Sequence, residues 1–499
     1  MKSAIDNIDI QVLVVGAGIS GIGAGISLKK QGQESFIILE SAGNLGGTWR
    51  DNTYPGVAVD IPSVSYCFSF ETDYPWSQLY APGDEVLSYI HHCAEKFNIT
   101  NYIRFNTKVY EANFDSSGNA WSVKLVGGEI IRSRFLIAAT GLFGPPNHPK
   151  LLGIKDFTGP IIHSSEWDHS LDLSNQRVGI IGTGASAVQI VPEIAPTVKH
   201  LTVFQRTPIW IGPRFDFSYF FHRQWGSSLR KYRATQFIFR FLSELFLEIA
   251  TFQIAYYKRI PFLLRTMQRL VRLYMKCQLT SSELVDKLLP KYGLGCKRPA
   301  TSNSYLSSFN LEHVDLTTVP INKIRSDGIL DCEDNFFSLD TIILATGFMT
   351  TQRGNSPRFK VIGRNELELE EFWNKHKRQA YLGVSVPSFP NFFLIGGPYS
   401  LGFNWFTMLE MQSRHIIRCI KRAHDENFTF VEVREEAHDR YMRNIWSRAD
   451  ATLFASDSCG SANSYYFDQS GNASITFPSM PWWRNLKEIF KRTKDYKFR

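Results

Sequence analysis

The sequence predicts an α/β fold made of two Rossmann-like dinucleotide-binding domains, the second carrying a helical insertion. Three observations predict it: two glycine-rich turns, a charge of opposite sign the same distance beyond each, and an aromatic-rich helical stretch inside the second unit.

The first turn reads Val12-Leu13-Val14-Val15-Gly16-Ala17-Gly18-Ile19-Ser20-Gly21 and runs on to Phe36-Ile37-Ile38-Leu39-Glu40. The second reads Val178-Gly179-Ile180-Ile181-Gly182-Thr183-Gly184-Ala185-Ser186-Ala187 and runs on to Leu201-Thr202-Val203-Phe204-Gln205-Arg206. Each follows a hydrophobic strand and heads a helix. Gly16, Gly18 and Gly21, and in the second unit Gly182, Gly184 and Ser186, let backbone amides at the helix start approach a pyrophosphate. Glu40 and Arg206 hold equivalent places. An acid there accepts from a ribose 2′-hydroxyl, whereas an arginine suits a 2′-phosphate. The first site therefore fits FAD or NAD and the second NADPH, a pair that implies electron transfer between two nucleotides.

Two further strands, Phe135-Leu136-Ile137-Ala138-Ala139-Thr140-Gly141 and Leu339 to Phe348, end alike in Ala-Thr-Gly and read as crossings between the domains. The stretch Gly144-Pro145-Pro146-Asn147-His148-Pro149 after the first fits a linker. The expected division is a first domain at 1–150, a second at 151–345, and a return to the first at 346–499 with a C-terminal tail. Residues 213–292 interrupt the second unit as helices, in which Arg240, Glu244 and Glu248 make one polar stripe. The expectation is a helical subdomain packed over the nucleotide domain, in preference to membrane docking or dimerisation. The basic, aromatic end from Pro481-Trp482-Trp483-Arg484 to Arg499 reads as a solvated tail.

At 499 residues the chain suggests two or three domains, and 43% hydrophobic with 20% charged residues describes a folded globular protein. A net charge of +8, with no compact basic block among aromatics, excludes nucleic acid as the expected partner. The seven cysteines are odd in number, scattered and without Cys-x-x-Cys, which argues against a dithiol reductase, a zinc ribbon or a disulfide framework, and no metal is expected. No run of 18 apolar residues occurs. The first strand begins too early for a cleaved signal peptide, so a cytoplasmic monomer or small homo-oligomer is expected.

Between the two units stands Phe157-Thr158-Gly159-Pro160-Ile161-Ile162-His163-Ser164-Ser165-Glu166-Trp167-Asp168. Its Phe157, Gly159, His163 and Trp167 resemble the fingerprint of the type I Baeyer–Villiger monooxygenases, relatives of the flavin-containing monooxygenases. Gly46-Gly47-Thr48-Trp49, Tyr54-Pro55-Gly56 and Asp60 resemble that family's segment over the flavin, and Lys297-Arg298-Pro299 its Lys-Arg-Pro element. The resemblance implies that Gly47, Thr48 and Trp49 lie against FAD, that Lys297 joins Arg206 on the NADPH 2′-phosphate, and that Arg298 and Asp60 are catalytic. His163 is implied at the domain junction and not as a general base. The implied reaction inserts one oxygen atom of O2 beside a ketone carbonyl, through a C4a-peroxyflavin whose charge Arg298 stabilises. The alternatives are oxygenation of an amine or thioether, and an NADPH:flavin reductase that activates no oxygen. Arg50-Asp51 and Val57-Ala58-Val59 depart from the family pattern, so no particular ketone is implied.

Overall fold

The computed structural model describes residues 8–215, 233–352, 354–482 and 493–499. Val12 and Val14 pack into one buried cluster and Leu13 and Val15 into another, so the first strand, Ile10–Val15, is covered on both faces. That explains its unbroken apolar run. It is central in an eight-stranded sheet with the order Lys360–Ile362, Val109–Asp115, Ala120–Leu125, Ile130–Ala138, Ile10–Val15, Phe36–Leu39, Ile103–Arg104. The eighth strand, Phe392–Leu394, pairs in parallel with the end of Ile130–Ala138. Helix Ile19–Lys30 covers one face and packs closely on helix Trp405–Asp425, with Leu409 and Phe68 seated where a side chain on Gly23 would lie.

A second sheet holds five parallel strands in the order Val314–Thr317, His200–Phe204, Arg177–Ile181, Thr341–Leu344, Ile161–His163. Val178 and Ile180 face helix Ala185–Ile194, whereas Ile181 faces a small antiparallel sheet of Ile321–Arg325, Gly328–Asp331 and Phe336–Ser338. The fingerprint is thus more than a connection, because Ile161–His163 forms the edge of this sheet. The two crossings run side by side: Gly144 and Asn147 donate to the carbonyls of Met349 and Gly347 at 2.7 and 2.8 Å.

Within the insertion, helices Arg233–Ala255 and Pro261–Cys277 are joined by residues 256–260. Residues 216–232 of the expected insertion lie outside the described residues. The polar stripe faces inward: Arg240 donates to the Cys67 carbonyl and Glu244 accepts from Asn404.

Two expectations are corrected. The C-terminus is no solvated tail, since Tyr496–Phe498 pairs with Val431–Val433 and Tyr496 is buried; residues 483–492 lie outside the described residues. The cysteines do include a cross-link, Cys296–Cys459, whose partners stand 163 residues apart. Sequence spacing at that range carries no signal of pairing.

Candidate active site

Both glycine turns are fixed by close backbone approach. A side chain on Gly16, which has φ +107°, would lie 2.6 Å from the Ala139 carbonyl oxygen, and one on Gly21 would run into the Gly16 carbonyl. Gly18 faces Gly47, so the Gly46-Gly47 loop closes over the first turn. Thr48 and Trp49 begin the short helix beyond it, and Trp49 donates to the Tyr66 hydroxyl at 3.1 Å. Glu40 is buried; its carboxylate accepts from the amides of Ala17 at 2.8 Å and Ala42 at 3.0 Å, and from Arg50 at 3.2 Å. No side chain caps the start of helix Ile19–Lys30, so its first amides remain available to an anion. The cradle fits a dinucleotide pyrophosphate.

The second turn repeats the geometry with more room. Gly182 has φ +116° and abuts the Ala345 carbonyl, but nothing lies within 4 Å of the place a side chain on Gly184 would occupy. Helix Ala185–Ile194 also starts without a side-chain cap. Ser186 sits on its first turn beside Tyr54, whose hydroxyl donates to Gln189 at 2.9 Å, so the Tyr54-Pro55-Gly56 loop rests on this helix. Arg206 is exposed and Lys297 half-buried. Burial and then the nearby charge of Arg206 push the Lys297 ammonium down to about 8. Two cations sharing one place is costly without an anion between them, and a phosphate would relieve it.

Where the two units meet, Arg298 and Asp60, distant in sequence, form a two-point ion pair, Nε to Oδ2 at 2.5 Å and Nη2 to Oδ1 at 2.7 Å. Burial works against the Arg298 charge, but Asp60 beside it more than compensates and holds the group protonated well above the ordinary arginine range. The guanidinium stands 5.8 Å from the centre of the Phe403 ring, with Tyr465 and Tyr466 as further neighbours. Two of its N–H groups are committed to Asp60 and Tyr466 is within hydrogen-bonding reach, while the guanidinium has five donors in all.

His163 is buried and accounts for both its nitrogens: Nδ1 lies 2.8 Å from the Ser165 hydroxyl and Nε2 3.1 Å from the Gly347 carbonyl. Burial, then His148, lowers its pKa, which keeps the ring neutral. It ties the fingerprint to the second crossing. Phe157 packs in the core behind the sheet, Gly159 is forced by the Asp340 carbonyl, and Trp167 packs half-buried against the core around helix Ala185–Ile194.

A model of the pyridine nucleotide-disulphide oxidoreductase family matches residues 13–240. The chain is 34% identical over 496 residues to the FAD-binding monooxygenase ktnD of Aspergillus niger, covering 94% of this chain and 78% of that protein. It is 31% identical over 474 residues to a Baeyer–Villiger monooxygenase of Pseudomonas aeruginosa, covering 95% and 88%. Among solved structures, oxidized steroid monooxygenase bound to NADP matches with a TM-score of 0.85 at 27% identity, covering 98% of this chain and 99% of that one. The chain belongs to the Baeyer–Villiger monooxygenase family. The expected class, a monooxygenase using FAD and NADPH, stands with that membership.

Several residues around the site of this Baeyer–Villiger monooxygenase were not foreseen. Arg50 and Asp51, noted only as departures, form an ion pair at 2.7 Å that extends to Glu40. Phe403, Tyr465 and Tyr466 come from a part of the chain with no recognisable motif, and only folding brings them to Arg298. Cys296, next to Lys297 and Arg298, is joined to Cys459, so a covalent link binds the arginine's segment to the one carrying both tyrosines. Phe403 also lines a small, partly open cavity with Glu244, Glu248, Asn404, Met408 and Phe477. There burial pushes the Glu248 carboxyl up to about 7. Its place in the polar stripe with Arg240 and Glu244 was the available signal for it.

Proposed function

We propose that the monooxygenase acts on a ketone held against Arg298, and that Arg298 and Asp60 are the catalytic pair. The observation that carries this reading is their two-point contact at the junction of the two nucleotide units. Bound FAD, reduced by NADPH, supplies the activation of O2. The chain's own residues do the rest. Arg298 offers fixed donors where negative charge builds on the reacting oxygens, and its charge survives any physiological pH. Asp60 keeps the guanidinium planar to the site and compensates its charge, so neither group is buried alone. Tyr465, Tyr466 and Phe403 narrow access of water on that side. Glu40, Gly16, Gly18, Gly21, Gly47, Thr48 and Trp49 hold the flavin nucleotide, and Gly182, Gly184, Ser186, Arg206 and Lys297 hold the nicotinamide nucleotide. The domain division at 1–150, 151–345 and 346–499 belongs to the same reading. So does a cytoplasmic setting, in which burial shields Cys296–Cys459 from reductants.

Incubation with NADPH, isotopically labelled O2 and a matched panel of ketones, thioethers and amines tests the reading by mass spectrometry. Labelled ester or lactone is expected. Oxidation of thioethers or amines alone would replace the ketone by the second substrate class. In Arg298→Ala, ester formation is expected to fall by at least ~100-fold, the scale of losing one charge-stabilising donor, with FAD retained. Ester formation at the parent rate would remove Arg298 from the mechanism.

A further inference from the structure

The helix Arg233–Ala255 is inside out. Arg240, Glu244 and Glu248 point into the protein: Arg240 bonds to the Cys67 and Phe68 carbonyls, Glu244 to Asn404, and Glu248 to the Trp482 amide at 2.9 Å. Leu247 is buried, but most of the large apolar residues between Phe237 and Ile249 point to solvent, with Phe237 70%, Leu242 53% and Phe246 58% exposed. An ordinary surface helix has the reverse arrangement. The next helix, Pro261–Cys277, continues the pattern, since Phe262, Leu270 and Leu273 are also more than half exposed. Isolated exposed apolar residues need no explanation, but an outward face of this extent across two joined helices does.

Charge identifies what covers it. Lys258, Arg259, Arg265, Arg269, Arg272 and Lys276 are all exposed on this hairpin. The four on the second helix follow helical spacing and form one stripe. From Arg233 to Thr280 the only acids are Glu244 and Glu248, both turned inward. A second copy docked face to face about a twofold axis would set these cations against one another with no acid to answer them. A surface of phospholipid with anionic headgroups meets both requirements: acyl chains for the apolar side chains and negative charge for the basic ones. No helix among the described residues is long and apolar enough to cross a membrane. We propose that the helical hairpin 233–277 is a monotopic docking surface for an anionic lipid bilayer. This goes beyond the oxygenation reading and does not rest on it.

Flotation of the full-length, FAD-loaded protein with vesicles tests it, using phosphatidylcholine alone or mixed with phosphatidylserine. Protein is expected to float with the mixed vesicles and to be released by high salt. Arg265→Glu with Arg269→Glu, and separately Phe246→Ser with Leu270→Ser, are each expected to lower the bound fraction at least tenfold. Their flavin content and melting temperature should match the parent, which separates lost docking from lost folding. Failure of the parent to float with mixed vesicles overturns the proposal. So does sedimentation of the parent as a dimer that Phe246→Ser with Leu270→Ser converts to monomer without any vesicle binding, because the face would then belong to a second copy.

Discussion

The two nucleotide turns share one backbone plan and differ in how far the protein closes over them. At the first, Gly47 lies against Gly18 and Glu40 is buried under Arg50 and the Ala17 and Ala42 amides. At the second, the space beside Gly184 is open, Arg206 is exposed, and Lys297 shares its surroundings with another cation. The first site is completed by protein; the second is left for an anion to complete. That difference suits a nucleotide that stays and one that comes and goes. The same motif can therefore encode a resident cofactor or a travelling one, depending on the loop laid over it.

The comparison can be broken by glycine substitution. Gly21→Ala is expected to destabilise the fold by several kcal/mol, in the range of severe backbone clashes, because its Cβ meets the Gly16 carbonyl. Gly184→Ala, facing open space, should stay within about 0.5 kcal/mol of the parent in thermal unfolding and lose NADPH affinity instead. Equal stability losses in the two variants would show that the second turn is as closed as the first.

A smaller effect is expected at Arg206, the charge proposed to select the second nucleotide. Arg206→Ala should raise KM for NADPH roughly 10- to 100-fold, the worth of a hydrogen-bonded charge, and leave KM for NADH nearly unchanged. An unaltered preference would detach Arg206 from the phosphate.

The smallest effect lies in pH. Lys297 is charged below about 8 and loses its proton above. KM for NADPH should accordingly be flat from neutrality to about 8 and climb beyond, and Lys297→Met should abolish the climb. The sign for folding is the same as for a carboxylate whose pKa folding depresses. The unfolded chain keeps this proton to the ordinary value of 10.5, so between about 8 and 10.5 stability rises with pH. A climb in KM that persists in Lys297→Met would assign it to another group.

Much of this was legible in the sequence because it is local. A turn that must admit backbone to within van der Waals contact can be only glycine, and Gly16, Gly21 and Gly182 are readable for that reason. Arg298 and Asp60 were legible only through their surrounding motifs; nothing in composition or spacing draws residues so far apart together. The Cys296–Cys459 link, the tyrosine pair at 465 and 466, and Phe403 are tertiary placements with no local code. Periodicity showed one polar stripe on helix Arg233–Ala255 but not which way it faces, because its partners Cys67 and Asn404 lie far off in the chain.

The strand Phe392–Leu394 has a consequence for how the chain is made. It completes the hydrogen bonding of Ile130–Ala138 about 250 residues after that strand has left the ribosome. Until then the sheet presents a bare apolar edge while the whole second unit is synthesised, a state open to mispairing between nascent chains. A fragment ending before Phe392 would keep that edge permanently. The first sheet therefore cannot be obtained whole by truncation before residue 392; it needs a segment that contains residues 392–394.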